Sequence, residues 1–91
     1  MSYEKNKQQA FQAAEHGLNE VKGRFEVVKS VQHTGAFGRE MAELKNEVSE
    51  ATQQIQKALE ECSHTQHGRL NMFQAELATI TDEMNQLDQL L

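Results

Sequence analysis

Residues Phe37–Cys62 read FGREMAELKNEVSEATQQIQKALEEC. Apolar side chains fall at Phe37, Met41, Leu44, Val48, Ala51, Ile55, Ala58 and Cys62, in steps that alternate four and three without a miss. That spacing is the seam of a left-handed coiled coil, with Glu, Lys, Gln and Ser filling the faces between. The segments on either side follow the same rule. Before it lie Phe11, Ala14, Leu18, Val21, Phe25 and Val28, with Gln32 next in the series. After it come Leu70, Phe73, Leu77, Ile80, Met84, Leu87 and Leu91. The pattern predicts an all-α fold, an antiparallel up-down-up three-helix bundle with heptad packing. Residues 1–91 form a single domain in this reading, with helices over about 3–32, 37–62 and 66–91.

Laid up, down and up, the three seams match level by level. From the end holding the second turn the layers are Phe11/Cys62/Leu70, Ala14/Ala58/Phe73, Leu18/Ile55/Leu77 and Val21/Ala51/Ile80. Phe25/Val48/Met84, Val28/Leu44/Leu87 and Gln32/Met41/Leu91 follow. Large side chains meet small ones, as an interdigitated core requires.

Composition agrees with this architecture. The chain of 91 residues contains no Pro and no Trp, and aromatic residues make up 5%. Long uninterrupted helices suit a sequence without Pro, whereas a β domain of this size draws on Pro, Gly and aromatic residues for its turns and core. A chain this short buries only about 60–65% of its unfolded surface, so its core must be well packed or shared with a second copy.

Between the seams lie the turns. The run His33-Thr34-Gly35-Ala36-Phe37-Gly38 breaks the periodicity, with Gly35 the expected left-handed cap of the first helix and Gly38 in the first turn of the second. Ser63-His64-Thr65-Gln66-His67-Gly68 is the expected second turn, with Ser63 or Thr65 as the cap of the third helix. Ser2 is a candidate cap for the first helix, whose opening polar turn is expected to fray. Gly17 and Gly23 lie off the seam of the first helix. Tolerated surface glycine is the expected reading for both, ahead of close approach of another chain. Each costs about 1 kcal/mol relative to Ala.

Charge limits the function classes. Net charge is −5 and the pI is near 5.3. Non-specific nucleic-acid binding and anionic membrane surfaces both require basic charge, so neither is an expected partner. A polar N-terminus without an apolar stretch argues against a signal peptide, and no apolar run approaches the ~20 residues of a membrane span. With its single cysteine, Cys62, the chain is expected in a reducing cytoplasm. The three helices carry +1, −3 and −3. Lys22, Arg24 and Lys29 are expected to face Asp82, Glu83 and Asp88 across the parallel first and third helices.

Few residues suggest chemistry. Cys62-x-His64-x-x-His67 is the one cluster of metal-ligand types, with Glu4 as a candidate fourth donor from the N-terminal turn. Zinc needs three or four donors converging within about 2.0–2.3 Å. The spacing matches no standard zinc pattern and Cys62 already serves the seam, so no metal site and no cofactor are assigned. Metal binding through Cys62, His64 and His67 stands as the alternative function. His16 falls on the outer face of the first helix. His33 lies at that helix's C-terminus, where a cation is favoured by about 0.3–1 kcal/mol. Neither has a nucleophile beside it. Glu60-Glu61 and Asp82-Glu83 are solvated faces, whereas acid/base carboxylates need a desolvated cleft. The chain is therefore not expected to be an enzyme.

What remains is surface. Val27, Val31, Leu59, Met72 and Leu90 are apolar but off the seam. Val27, Val31, Phe37 and Leu90 are the candidate partner-binding residues, an apolar patch at the end holding the first turn. Burial as a widening of the helix faces competes with that reading for Val31 and Leu90. The expected function is a protein–protein interaction or structural module. Its partner is a protein, a second copy included.

Two resemblances follow from these residues. Val48-Ser49-Glu50-Ala51-Thr52-Gln53-Gln54-Ile55 resembles antiparallel three-helix coiled coils of the spectrin-repeat kind, although the spectrin tryptophan is absent. Length, a lone cysteine near the second turn and the Leu70–Met84 helix are together similar to short Gln- and Glu-rich proteins of spore-forming Gram-positive bacteria, families of unknown function. That resemblance implies a bacterial, cytoplasmic protein and carries over no functional residue.

Overall fold

Three helices account for nearly all of residues 2–90, the part of the chain that the computed structural model describes, with side chains described from residue 6 to residue 90. They are α1 (Ser2–Ser30), α2 (Phe37–Glu61) and α3 (His64–Gln89), folded into an antiparallel up-down-up bundle about 50 × 19 × 15 Å. Capping by Ser2, donation by Glu4 and the place of Leu91 at the end of the third seam lie outside the described side chains.

The seams become the core. Phe11, Ala14, Leu18, Val21, Phe25 and Val28 are buried on α1, and the apolar positions from Phe37 to Ala58 are buried on α2. On α3, Leu70, Phe73, Leu77 and Met84 are buried, while Ile80 and Leu87 pack against the core half-exposed. The asymmetry has a steric origin. α1 packs most extensively on α2. Small residues let the two backbones approach: Ala14, Gly17, Ala51 and Ala58. α3 then rides on the pair and does not sink between its members, so two of its apolar side chains keep an edge in water. At the second-turn end the Phe11 and Phe73 rings meet at 5.5 Å in a tilted pair, with the Arg69 guanidinium over both at 5.0 and 5.7 Å.

Gly17 and Gly23, alike in the sequence, differ here. A Cβ at Gly23 would meet nothing within 4 Å. A Cβ at Gly17 would collide with Gln54 Oε1 and lie 3.4 Å from the Ala51 Cα. Gly17 is therefore a close-approach residue between α1 and α2, which corrects the expectation of a tolerated surface glycine. The Gln54 carboxamide occupies the space a side chain would take, and its buried Oε1 has no hydrogen-bond partner.

Both turns depart from expectation. Gly35 is not a left-handed cap, since no described residue has a positive φ. Thr34 turns the chain instead. Its Oγ1 donates to the Val31 carbonyl at 2.8 Å and accepts from the Ala36 N–H at 3.2 Å, while its carbonyl accepts from the Phe37 N–H at 3.3 Å. Val27 and Val28 carbonyls at the helix end accept from the Val31 N–H, and the Thr34 hydroxyl takes the Val31 carbonyl just beyond, so the turn is made without a left-handed residue. The second turn is shorter than expected. Cys62 and Ser63 are extended, and α3 begins at His64. Ser63 Oγ accepts from the Gln66 N–H at 3.2 Å, and Gln66 Oε1 accepts from the Ser63 N–H at 3.1 Å. This reciprocal capping box starts the helix two residues early and draws His64 and Thr65 into it.

Charge also sorts differently. Arg24 turns toward α2, its Nη1 2.8 Å from Glu40 and its Nε 2.9 Å from Glu47. Lys22 reaches Glu76 at 3.1 Å, Lys29 reaches Glu26 on its own helix at 2.8 Å, and Asp88 pairs with Lys45 at 2.7 Å. The expected facing of Lys22, Arg24 and Lys29 with Asp82, Glu83 and Asp88 is thus not what forms. The residues flanking each seam decide this, because only they reach a neighbouring helix.

Candidate interaction surfaces

At the first-turn end, Gln32, His33, Phe37, Leu87 and Leu90 line a hollow of about 110 Å³. Leu90 is 78% exposed and stands at its rim, whereas Phe37 is buried at 6%. Phe37 belongs to the base of the hollow and not to an exposed patch, a correction that follows from its seam position. Val31 is half-buried, and its N–H bonds back to the Val27 carbonyl at 3.1 Å, one turn away. Val27 is 40% exposed and lies outside the lining of the hollow. Of the four expected contact residues, the structure brings Phe37 and Leu90 into one concavity, while Val27 on α1 and Val31 just past its end lie outside its lining.

A second apolar concavity, of about 260 Å³, runs between α2 and α3 on the side away from α1. Thr52, Ile55, Gln74, Leu77, Ala78, Thr81 and Asp82 line it. Thr52 and Thr81 donate their hydroxyls to the Val48 and Leu77 carbonyls at 2.8 and 2.7 Å. Their hydroxyl donors are thus satisfied within their own helices. Seam spacing alone does not single out this surface. Its signal in the sequence is the scarcity of charge between Arg69 and Asp82, where Glu76 alone is ionisable.

Polar side chains dominate the groove between α1 and α2, about 600 Å³, lined among others by Asn6, Gln54, Lys57 and Glu61. Farther along the same interface Glu40 first, then Glu47, hold the Arg24 guanidinium above its ordinary pKa through hydrogen bonds and proximity. A permanently charged arginine so held ties α1 to α2 and supplies no acid or base.

The cysteine and histidines of the second turn do not form a cage. Cys62 Sγ donates to the Leu59 carbonyl at 3.5 Å. His64 is the first residue of α3, exposed, and His67 Nδ1 lies 3.3 Å from Asn71 Nδ2 one turn on. Among the described residues no three His, Cys, Asp or Glu side chains are grouped to hold a metal ion. The capping box pulls His64 into α3 ahead of His67, fixes both backbones to the helix and leaves Cys62 to the extended turn. His16 sits on the outer face of α1, 2.7 Å from Glu20.

Fold and surfaces together define a small all-α three-helix bundle with open grooves. No known family matches the chain, and neither curated proteins nor solved structures include one similar to it. No described helix is long and apolar enough to cross a membrane.

Proposed function

We propose that this chain is a protein–protein interaction module that acts through its helical surface. One observation carries the reading: Leu90, 78% exposed, overhangs an apolar hollow whose base is Phe37 and Leu87. Leaving such a side chain in water forgoes roughly 1.5–3 kcal/mol that burial would return, and an apolar partner side chain seated in the hollow recovers part of it. The filled axis of the bundle supports the same reading, since an enzyme needs a desolvated cleft with convergent acid and base groups. A non-enzymatic role in a reducing cytoplasm fits the lone half-buried Cys62.

A photo-crosslinking residue tests this. Benzoylphenylalanine replaces Leu90 in one variant and the exposed Asn46 in another. Irradiation in the native host is expected to give a defined protein adduct from position 90 and none from position 46. Equal, diffuse labelling from both positions rejects the assignment of this end as a contact. Leu90→Ser is expected to lose the adduct's partner in competition while melting within about 0.5 kcal/mol of the parent, as exposed sites do.

A further inference from the structure

The positions flanking each seam recur every seven residues and decide which charges meet between two helices. Toward α2, α1 presents Gly17, against Gln54, and Arg24, paired with Glu40 and Glu47. Toward α3 it presents Glu15, 3.1 Å from Arg69, and Lys22, 3.1 Å from Glu76. On the remaining flank of α2, Lys45 meets Asp88 at 2.7 Å.

The layers of the core are the same whichever way the helices wind, but the opposite winding exchanges the two flanks of every helix. Counting in sevens gives the contacts it would impose. The α1 flank of Lys22 would turn to the α2 flank of Lys45, at a level that sets Lys29 against Lys45. The other α2 flank would turn to the α3 flank of Glu76, which sets Glu47 against Glu83. Arg24 would reach Asp88 and Arg69 would reach Glu61, so attraction and repulsion cancel there, whereas the winding adopted joins cation to carboxylate throughout.

We infer that the flank charges are a selector of winding, which rewards the bundle that forms and penalises its alternative. Exposed ion pairs add little to stability. Between two packings with the same core, however, attraction in one and repulsion in the other act in the same direction. The choice reaches the surface of the molecule. Leu90 falls seven residues after Glu83, on the flank turned to α1, where it shares its hollow with Gln32 and His33. In the opposite winding that flank faces α2 at Glu40, so the hollow belongs to this winding alone. The selection itself does not depend on whether the hollow meets another protein.

Exchanging two residues of α2, Lys45→Glu with Glu47→Lys, keeps composition and net charge but reverses the selector. In the winding seen, the new side chains stand against Asp88 and Arg24 as like charges. In the opposite winding they pair with Lys29 and Glu83. Three thiols report the outcome: Ala10→Cys, Leu59→Cys and Gln74→Cys in a Cys62→Ser background. Position 74 lies in the α2–α3 groove and position 10 in the α1–α2 groove. Position 74 is level with position 59 in the winding seen and with position 10 in the opposite one. A short bis-maleimide followed by peptide mass mapping measures the 74–59 and 74–10 links. With the native charges the 74–59 link is expected to exceed the 74–10 link by about tenfold or more, and the exchange to lower that ratio by about tenfold or more. Far-UV circular dichroism shows whether the helices hold. If the exchanged chain has lost them, Lys29→Glu with Glu83→Lys decides instead. It keeps the ion pairs between helices named above and turns both like-charge contacts of the opposite winding into attractions. That variant is expected to lower the ratio by about threefold or more. A ratio that the deciding variant leaves unchanged or raises overturns the inference and leaves the winding to packing at Gly17. A native chain that favours the 74–10 link also overturns it.

Discussion

Replacing Gly17 and Gly23 by Ala, singly and in a Gln54→Ala background, tests how closely α1 approaches α2. Glycine inside a helix costs about 1 kcal/mol relative to alanine at either position. At Gly23 the new methyl meets nothing within 4 Å, so Gly23→Ala is expected to stabilise by about 1 kcal/mol, a rise of about 4–8 °C in Tm. At Gly17 the methyl takes the place of Gln54 Oε1, and the carboxamide must swing into the open groove beside Lys57. That movement releases an unpartnered buried acceptor but forfeits its packing and forces a new rotamer, at about 0.5–1.5 kcal/mol. The lost packing and new rotamer, net of the released acceptor, offset most of the helix gain, so Gly17→Ala alone is expected to change stability by less than about 0.5 kcal/mol. With Gln54 already alanine, the remaining neighbour is the Ala51 Cα at 3.4 Å, an ordinary contact. Gly17→Ala should then recover nearly the full gain of about 1 kcal/mol, a coupling of about 0.5–1 kcal/mol in the double-mutant cycle. Urea titrations at fixed protein concentration, followed by far-UV circular dichroism, measure all four corners. Identical effects of Gly17→Ala in both backgrounds would show that Gln54 does not fill the gap. A loss above about 2 kcal/mol in the Gln54→Ala background would show that the α2 backbone does.

Other consequences follow from the same geometry. Ile55 is 1% exposed at the middle of the bundle, and Ile55→Ala is expected to cost about 2–5 kcal/mol by thermal or urea melting; a loss under about 1 kcal/mol contradicts the layer it anchors. Ser63→Ala removes one half of the capping box and is expected to cost about 1 kcal/mol, whereas Thr65→Ala leaves the cap intact. Hydrogen exchange should localise the Ser63→Ala loss to the first turn of α3. Zinc added to reduced protein is expected to leave the melting midpoint unchanged. A concentration-dependent rise that Cys62→Ser abolishes would revive the metal reading.

The three seams are legible because burial on a helix recurs with the turn, so a one-dimensional spacing is enough to name Leu18, Ile55 and Leu77 as one layer. The capping box is equally present as Ser63-x-x-Gln66, but the histidines and glycine that follow mimic a loop. Gly35 misleads because residue type permits a left-handed conformation without requiring one, and Thr34 offers a local alternative. Phe37 lies beside a turn and so resembles a surface residue, although its own seam position already buries it.

Periodicity, then, names which side chains turn inward and at what height along the bundle, since both follow from the pitch of a single helix. Handedness is another matter. Three antiparallel helices with these seams can wind left or right and keep every layer, but the two windings exchange which flank of each helix meets which neighbour. The winding adopted sets Gly17 against Gln54, draws Arg24 to Glu40 and Glu47, and pairs Lys45 on α2 with Asp88 on α3. Those pairings depend on packing among all three helices at once, and no single helix's pitch contains them.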